Sequence, residues 1–190
     1  MATALVVAAF ICALTGPAVR AQTALHPVTE SNGVFTVSVP EDWTVLQLPL
    51  DHSSESALGQ DPGRSNIRAI MAAAAPGNDP QALVMIFAFD LPRPVSAIDW
   101  WLAAGTGFHS NFQDFHVVKE GIGKLGDREV YYSHFTWRTE TDSSVYSVLF
   151  MLSEGTTGFL FMASTPNDPD HVQQYVPVFL EVAETLRSGR

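Results

Sequence analysis

The sequence predicts an α+β fold in which a mostly antiparallel β-sheet is sandwiched with two main helices. Short segments that are apolar throughout, or that alternate between apolar and polar residues, recur along the chain, as β-strands do. Two other segments carry apolar residues at helical spacing, one in the middle of the chain and one near its end. The chain has 190 residues, 46% hydrophobic and 16% charged, which fits one globular domain with its own core.

Residues 1–21 have the layout of a secretory signal peptide. The apolar run LVVAAFICAL (5–14) is shorter than the roughly 20 residues that a membrane-spanning helix needs, and small residues precede Gln22 at the cleavage position. Removing these 21 of the 190 residues, with Arg20 and the single cysteine, would leave 169 residues with nine basic and twenty acidic groups. We therefore expect a periplasmic or secreted protein whose mature chain has no cysteine and no transmembrane segment.

The next segments predict a flexible stretch, two strands and a loop. Residues 22–33 are polar and are predicted to be flexible. Apolar and polar residues alternate in VFTVSVP (34–40), and Trp43–Leu48 follows a turn, so a hairpin is expected. Residues 51–66 are rich in Ser, Gly and Asp, which predicts a long polar loop.

The rest of the chain predicts six strands and two helices. The strands are placed at 67–75, 82–89, 115–122, 128–139, 145–152 and 159–163. The first helix follows Pro94, and its predicted core stripe is Ile98, Trp101, Leu102, Gly105, Phe108 and Phe112. The second follows Asp168, its expected N-cap, and Pro177 within it predicts a kink or a fresh start. The continuously apolar strands predict a sheet that is covered on both faces.

Two motifs lie near the two ends of the predicted domain. The first is an N-terminal F-x-hydrophobic-x-hydrophobic-P-x-x-W segment, formed here by Phe35, Val37, Val39, Pro40 and Trp43. The second is a Y-x-P-x-F helix with a hydrophobic-x-S tail, formed here by Tyr175, Pro177, Phe179, Leu186 and Ser188. Together they resemble the PsbP-like α/β/α sandwich superfamily. The resemblance covers nearly all of 34–188 and implies a single domain of that fold.

The function that this resemblance implies is broad, because the superfamily includes photosystem-associated subunits, periplasmic lipoproteins, a nuclear-import factor and chaperones for secreted effectors. We expect an exported, non-enzymatic accessory protein of the cell envelope that holds a partner protein or a small ligand, without a cofactor. The formal charge of −10 argues against a nucleic-acid partner, which would require clustered basic residues.

Two alternatives remain open at this stage. The first is a hydrolase with a site near His109 and His116, although no nucleophile, phosphate-loop or metalloprotease motif supports an enzyme. The second is a carrier of apolar ligands with a cavity between the sheet and the helices. His109, Asp114 and His116 are also candidates for metal ligands, but their spacing is not a known ligand pattern, and helix capping or surface polarity is the favoured explanation.

Three residues are candidates for partner binding. Trp100 lies about 100° around the helix from Trp101, so it falls off the predicted core stripe beside small residues. It could anchor a partner, or it could pack under the 51–66 loop. Arg64 and Arg68 are the cations of that loop region, where they could bind an anionic group or pair with nearby acids.

Overall fold

The computed structural model describes residues 24–48, 67–77, 81–108 and 112–189, with only the backbone of Leu48 and of residues 104–107. The predicted signal peptide and the polar loop 51–66 lie outside these ranges. The strands are β1 (Leu25–Thr29), β2 (Phe35–Pro40), β3 (Thr44–Leu48), β4 (Ile67–Ala74), β5 (Leu83–Asp90), β6 (Gln113–Leu125), β7 (Arg128–Arg138), β8 (Ser144–Glu154), β9 (Thr157–Pro166) and β10 (Arg187–Ser188). Helix α1 (Ala97–Phe108) lies between β5 and β6, and helix α2 (Pro169–Thr185) lies between β9 and β10.

The strands form two antiparallel sheets. The larger sheet has seven strands in the order β3-β4-β5-β9-β8-β7-β6, and the smaller has three in the order β1-β2-β10. Helix α1 packs against β7 and β8 on one side of the large sheet, which we call the α1 face. Helix α2 packs between β2 of the small sheet and strands β8 and β9 on the other side, the α2 face. The predicted α+β sandwich is confirmed.

Burial on both faces explains the continuously apolar strands. Phe159 and Phe161 are fully buried on the α2 face, where Phe159 meets Phe35 edge to face with 6.1 Å between ring centroids. Leu149 and Met151 are buried on the α1 face. Side chains alternate along a strand, so a strand buried on both sides has no polar positions to reveal its period.

Two expectations for the N-terminal region are wrong. The segment 22–33 is not flexible throughout, because β1 pairs with β2 in register from Leu25 opposite Pro40 to Thr29 opposite Thr36. Its apolar residues are few, but Leu25 and Val28 pack against the core. The expected hairpin of β2 and β3 does not form either, since β2 pairs with β1 and β10 while β3 pairs with β4.

Residues of the first motif pack against residues of the second motif, which lie on helix α2. Trp43 is 8% exposed and its ring contacts that of Phe179 edge to face at 6.5 Å, and Tyr175 stacks on Phe179 at 6.3 Å. Asp168 caps the helix as predicted, because its carboxylate accepts the backbone N–H of His171 at 3.1 Å. The helix runs unbroken through Pro177, so the predicted fresh start is wrong; packing of Tyr175 and Phe179 on either side offsets the missing hydrogen bond.

Candidate functional site

Both tryptophans of α1 pack onto the large sheet. Trp101 stacks on Tyr131 of β7 with 4.3 Å between ring centroids, as its place on the predicted stripe requires. Trp100 meets Phe89 of β5 edge to face at 5.4 Å, and its six-membered ring lies over Gly158 of β9. A side chain on Gly158 would put its Cβ 2.8 Å from the Trp100 ring. Trp100 is therefore half-buried between the helix and the sheet, and its contact with a partner remains a prediction.

The predicted core stripe of α1 is wrong at two positions. Leu102 is 68% exposed, because the helix turns it away from the sheet once Trp100 and Trp101 both point inward. Phe112 lies beyond the end of the helix, yet it still packs against Phe108 at 4.9 Å and Trp137 at 5.0 Å. The helix thus uses a wide inward surface with two large aromatic rings in place of the narrower predicted stripe.

The other candidate residues are dispersed in the structure. Arg68 is exposed and pairs with Asp90 at 3.3 Å, whereas Arg64 and His109 lie outside the described residues. Asp114 pairs with Arg138 at 3.4 Å, and His116 is exposed on β6 opposite Thr136. Within the described ranges, no three His, Cys, Asp or Glu side chains converge where a metal ion could be held.

A buried histidine lies on the α2 face near the edge of the large sheet. His134 of β7 is 5% exposed, and its Nδ1 and the hydroxyl of Tyr146 are 2.9 Å apart. Burial lowers the pKa of His134 to about 4, and Lys119, which faces it on β6, acts in the same direction. The imidazole is therefore neutral at neutral pH, and its bond to the tyrosine joins β7 to β8.

The tyrosine beneath Trp101 also has a perturbed pKa. Tyr131 donates a hydrogen bond of 2.6 Å to the carboxylate of Glu120 on β6. Burial, followed by this bond to the carboxylate, raises the pKa of Tyr131 well above its usual range. The phenol of Tyr131 stays protonated, and its hydrogen bond to Glu120 links the edge strand β6 to β7.

The α1 face is only partly covered by described elements. Helix α1 packs on β7 and β8, while Trp100 reaches β9 and β5 at one end of the sheet. At the other end, neighbouring side chains on β3, β4, β5 and β9 are left half-buried or exposed. Six of them form one largely apolar surface, which we call the methionine face: Leu46, Ala74, Leu83, Met85, Met162 and Ser164.

Strand register places these six side chains side by side. Met85 of β5 lies opposite Met162 of β9, and Leu83 lies opposite Ser164 two residues further along. Leu46 of β3 is 49% exposed at the outer edge of the same surface. None of the six is charged, and methionine side chains adapt to the shape of what they contact. The surface can therefore bind apolar groups but has no pair of groups for acid–base or nucleophilic chemistry.

The methionine face could not be recognised from the sequence. Met85 and Met162 lie in strands that are apolar on both sides, so the pattern gives them the same environment as their buried neighbours. One weak signal was present: Ser147 and Ser164 interrupt two apolar runs, and the register places them opposite each other. Which end of the sheet the helix covers depends on the path of α1, which no local pattern records.

Comparison with solved structures identifies the fold. Cyanobacterial PsbP (CyanoP) from Synechocystis sp. PCC 6803 superposes with a TM-score of 0.57 at 8% identity, over 92% of this chain and 98% of that one. The Ran-binding protein Mog1p of Saccharomyces cerevisiae gives 0.56 at 9% identity, over 87% and 96%. The chain has the PsbP-like fold. At such low identity the likeness extends to the fold alone.

A third structural match belongs to a longer protein. A Bacteroides thetaiotaomicron structure superposes with a TM-score of 0.55 at 15% identity, over 86% of this chain. This chain spans 48% of that protein's length, about half. No protein-family model and no curated protein sequence matches the chain.

Proposed function

We propose that this protein is an exported, non-enzymatic accessory protein of the cell envelope that binds its partner on the methionine face. The observation that carries the proposal is the uncharged surface around Met85 and Met162, which are half-buried against the core of the α1 face at the end of the sheet that α1 does not cover. Apolar surface of this kind, beside a few polar groups, is typical of binding sites. The neighbours of the same fold include a Ran-binding protein, which agrees with a binding role.

Export is supported by residues 1–21, whose apolar run and small residues before Gln22 have the layout of a signal peptide. In the described part of the chain, neither helix has the length and apolar character to cross a bilayer. The test is the intact mass of the protein recovered from the periplasm of an expression host. We expect an N-terminus at Gln22, and recovery of full-length protein in the cytoplasm alone would contradict export.

Binding can be tested with a matched pair of variants. Met162→Gln keeps the length of the side chain but places a polar group in the methionine face. Ile122→Gln makes the same kind of change at a residue that is 46% exposed on edge strand β6, away from that surface. Each variant is used as bait in native envelope extract, and bound proteins and small molecules are quantified by mass spectrometry. We expect Met162→Gln to lose the partner and Ile122→Gln to retain it; equal recovery by both would exclude the methionine face.

Trp100, Arg64 and Arg68 remain a second set of proposed partner contacts. Arg68 is exposed near Asp90, so its guanidinium is accessible to an anionic group despite the ion pair. Trp100→Phe keeps an aromatic ring on α1 but removes the outer ring of the indole that lies over Gly158, so binding by this variant is compared with the wild type at equal folded fraction. Loss of binding in this variant but not in Met162→Gln would indicate that the partner binds at helix α1 and not at the methionine face.

A further inference from the structure

A hydrogen-bonded chain of side chains crosses three strands and ends at the methionine face. The indole N–H of Trp137 on β7 donates to the hydroxyl of Ser147 on β8, with 2.9 Å between Nε1 and Oγ. The hydroxyls of Ser147 and Ser164 on β9 are 2.8 Å apart. Ser147 is fully buried, whereas Ser164 is half-buried beside Met162. From Ser147 to Ser164 the chain thus leads from the interior to the surface.

Counting protons gives this chain a direction. An indole nitrogen can only donate, and each serine hydroxyl has one proton. Ser147 accepts from Trp137, and in the described part of the chain Ser164 is the only group that can take its buried proton. Ser164 therefore accepts from Ser147, and its own proton is left to point toward the methionine face. Among the six residues of the methionine face Ser164 is thus the one hydrogen-bond donor, and it lies beside Met162; the hydroxyl of Thr44 lies at the outer edge of the same row, opposite Ala74.

The dimensions of the methionine face suit a small molecule better than a protein. Strands lie about 4.8 Å apart and alternate residues about 7 Å apart, so four strands and two rows of side chains make a strip of about 200 Å². A stable protein interface buries about 800 Å² on each partner. The absence of charge among the six residues also disfavours an ionic ligand, because nothing there would replace its hydration.

We propose that the methionine face binds a small uncharged amphiphile, with its flexible apolar chain across Met85 and Met162 and a hydrogen-bond acceptor on the Ser164 hydroxyl. This inference rests on the proposed binding function and names the chemistry of its ligand. Ser164 is the residue that determines specificity: it favours a carbonyl or ether oxygen over a plain hydrocarbon. A carboxylate would carry a charge into apolar surroundings and would bind less well.

Three probes of equal chain length separate these contributions: decan-2-one, decane and decanoate at neutral pH. Binding is followed by NMR of protein labelled with ¹³C at the methionine methyl groups, which reports on Met85 and Met162 directly. We expect the ketone to shift these two signals and to bind about fivefold more tightly than decane, the usual gain from one neutral hydrogen bond. We expect decanoate to bind about tenfold more weakly than the ketone.

The variant that tests the donor is Ser164→Ala. It removes the hydroxyl, and it also leaves Ser147 without an acceptor, a structural effect that weakens all probes alike. The expected result is loss of the preference for ketone over decane. Ser153→Ala is the matched control: it removes a hydroxyl from β8 on the same face of the sheet, one that donates to the backbone carbonyl of Val95 and lies away from the methionine face. It should retain the fivefold preference.

Equal binding of ketone and decane by the wild-type protein would overturn the role of Ser164, even if Ser164→Ala failed to fold. Preference retained in a folded Ser164→Ala would do the same. If no probe shifts Met85 or Met162, the small-molecule inference fails. If Met162→Gln nevertheless loses a protein partner, the proposed function stands and only the small-molecule inference fails. If Met162→Gln loses neither a protein nor a small molecule, the proposed function and the inference both fail.

Discussion

The contact between Trp100 and Gly158 gives the sharpest test of how α1 is held on the sheet. The Trp100 ring lies over the bare backbone of Gly158, and an added Cβ would come within 2.8 Å of Cη2, 2.9 Å of Cζ3 and 3.1 Å of Cζ2. Carbon atoms attract at about 3.5–4.0 Å and repel steeply below that range. Gly158→Ala therefore requires the ring, and the helix that carries it, to move by several tenths of an ångström.

The cost of Gly158→Ala follows from this overpacking. Forcing an extra methyl group into a packed site costs about 1–3 kcal/mol, and the Trp100 ring has little room because it also contacts Phe89 at 5.4 Å. In a Trp100→Ala background the three atoms nearest to the added methyl group are gone, so Gly158→Ala should cost much less. In a Trp101→Ala background the ring of Trp100 is still present, and the full cost should remain.

Urea denaturation of the single and double variants measures this coupling. We expect a favourable interaction energy of about 1–3 kcal/mol between Gly158→Ala and Trp100→Ala, with unchanged denaturant slopes, and almost none with Trp101→Ala. Trp100→Ala alone should cost about 3 kcal/mol, the lower end for an aromatic truncation because the ring is half-buried. If Gly158→Ala costs the same in every background, the ring does not lie over the glycine. If Trp100→Ala leaves stability unchanged, Trp100 is a surface residue.

Three further predictions concern other parts of the fold. Phe161→Ala should lower the free energy of unfolding by about 3–5 kcal/mol in urea denaturation, because the ring is fully buried. An unchanged denaturation midpoint would show that Phe161 is not in the core. Stability should fall by about 2 kcal/mol between pH 7.5 and pH 5, because the unfolded His134 binds a proton near pH 6.5 while the folded one resists until about pH 4; His134→Phe should remove that part of the pH dependence. Arg128→Lys should cost about 1–2 kcal/mol, because one ammonium cannot replace the guanidinium bonds to Glu154 and to the backbone carbonyl groups at and just after the end of α2; an equal melting temperature would contradict this.

The order of the regular elements could be predicted from the sequence, because each strand and helix has its own apolar pattern and is bounded by turn residues. Eight of the ten strands and both helices lie where the pattern places them. Strand β1 was missed because it is short and contains His26 and Pro27, so its pairing depends on β2 and not on its own composition. The two-residue β10 is too short for any periodic signal.

Pairing and coverage could not be predicted, because they depend on contacts between distant parts of the chain. The short turn after Pro40 favoured a hairpin, yet β2 belongs to the small sheet and packs against α2. Helical spacing placed Trp101 inward and left Trp100 outside, because it assumes that a helix buries one narrow stripe. A sheet with a glycine at position 158 has a recess that accepts a second large ring, and only the register of β9 against β5 shows that the recess exists.

The inward turn of Trp100 and the open methionine face are connected. With Trp100 over Gly158 and Trp101 over Tyr131, α1 is fixed at the end of the sheet where β8 turns into β9, and it lies across β7 and β8. The rows that contain Met85, Met162 and Ser164 lie toward the opposite ends of their strands. If weakening the anchor frees the helix to move, Gly158→Ala should alter ligand binding at a surface that it does not touch. If Gly158→Ala changes the affinity for decan-2-one while Ser164 is left as serine, the position of α1 determines how much of the methionine face is open.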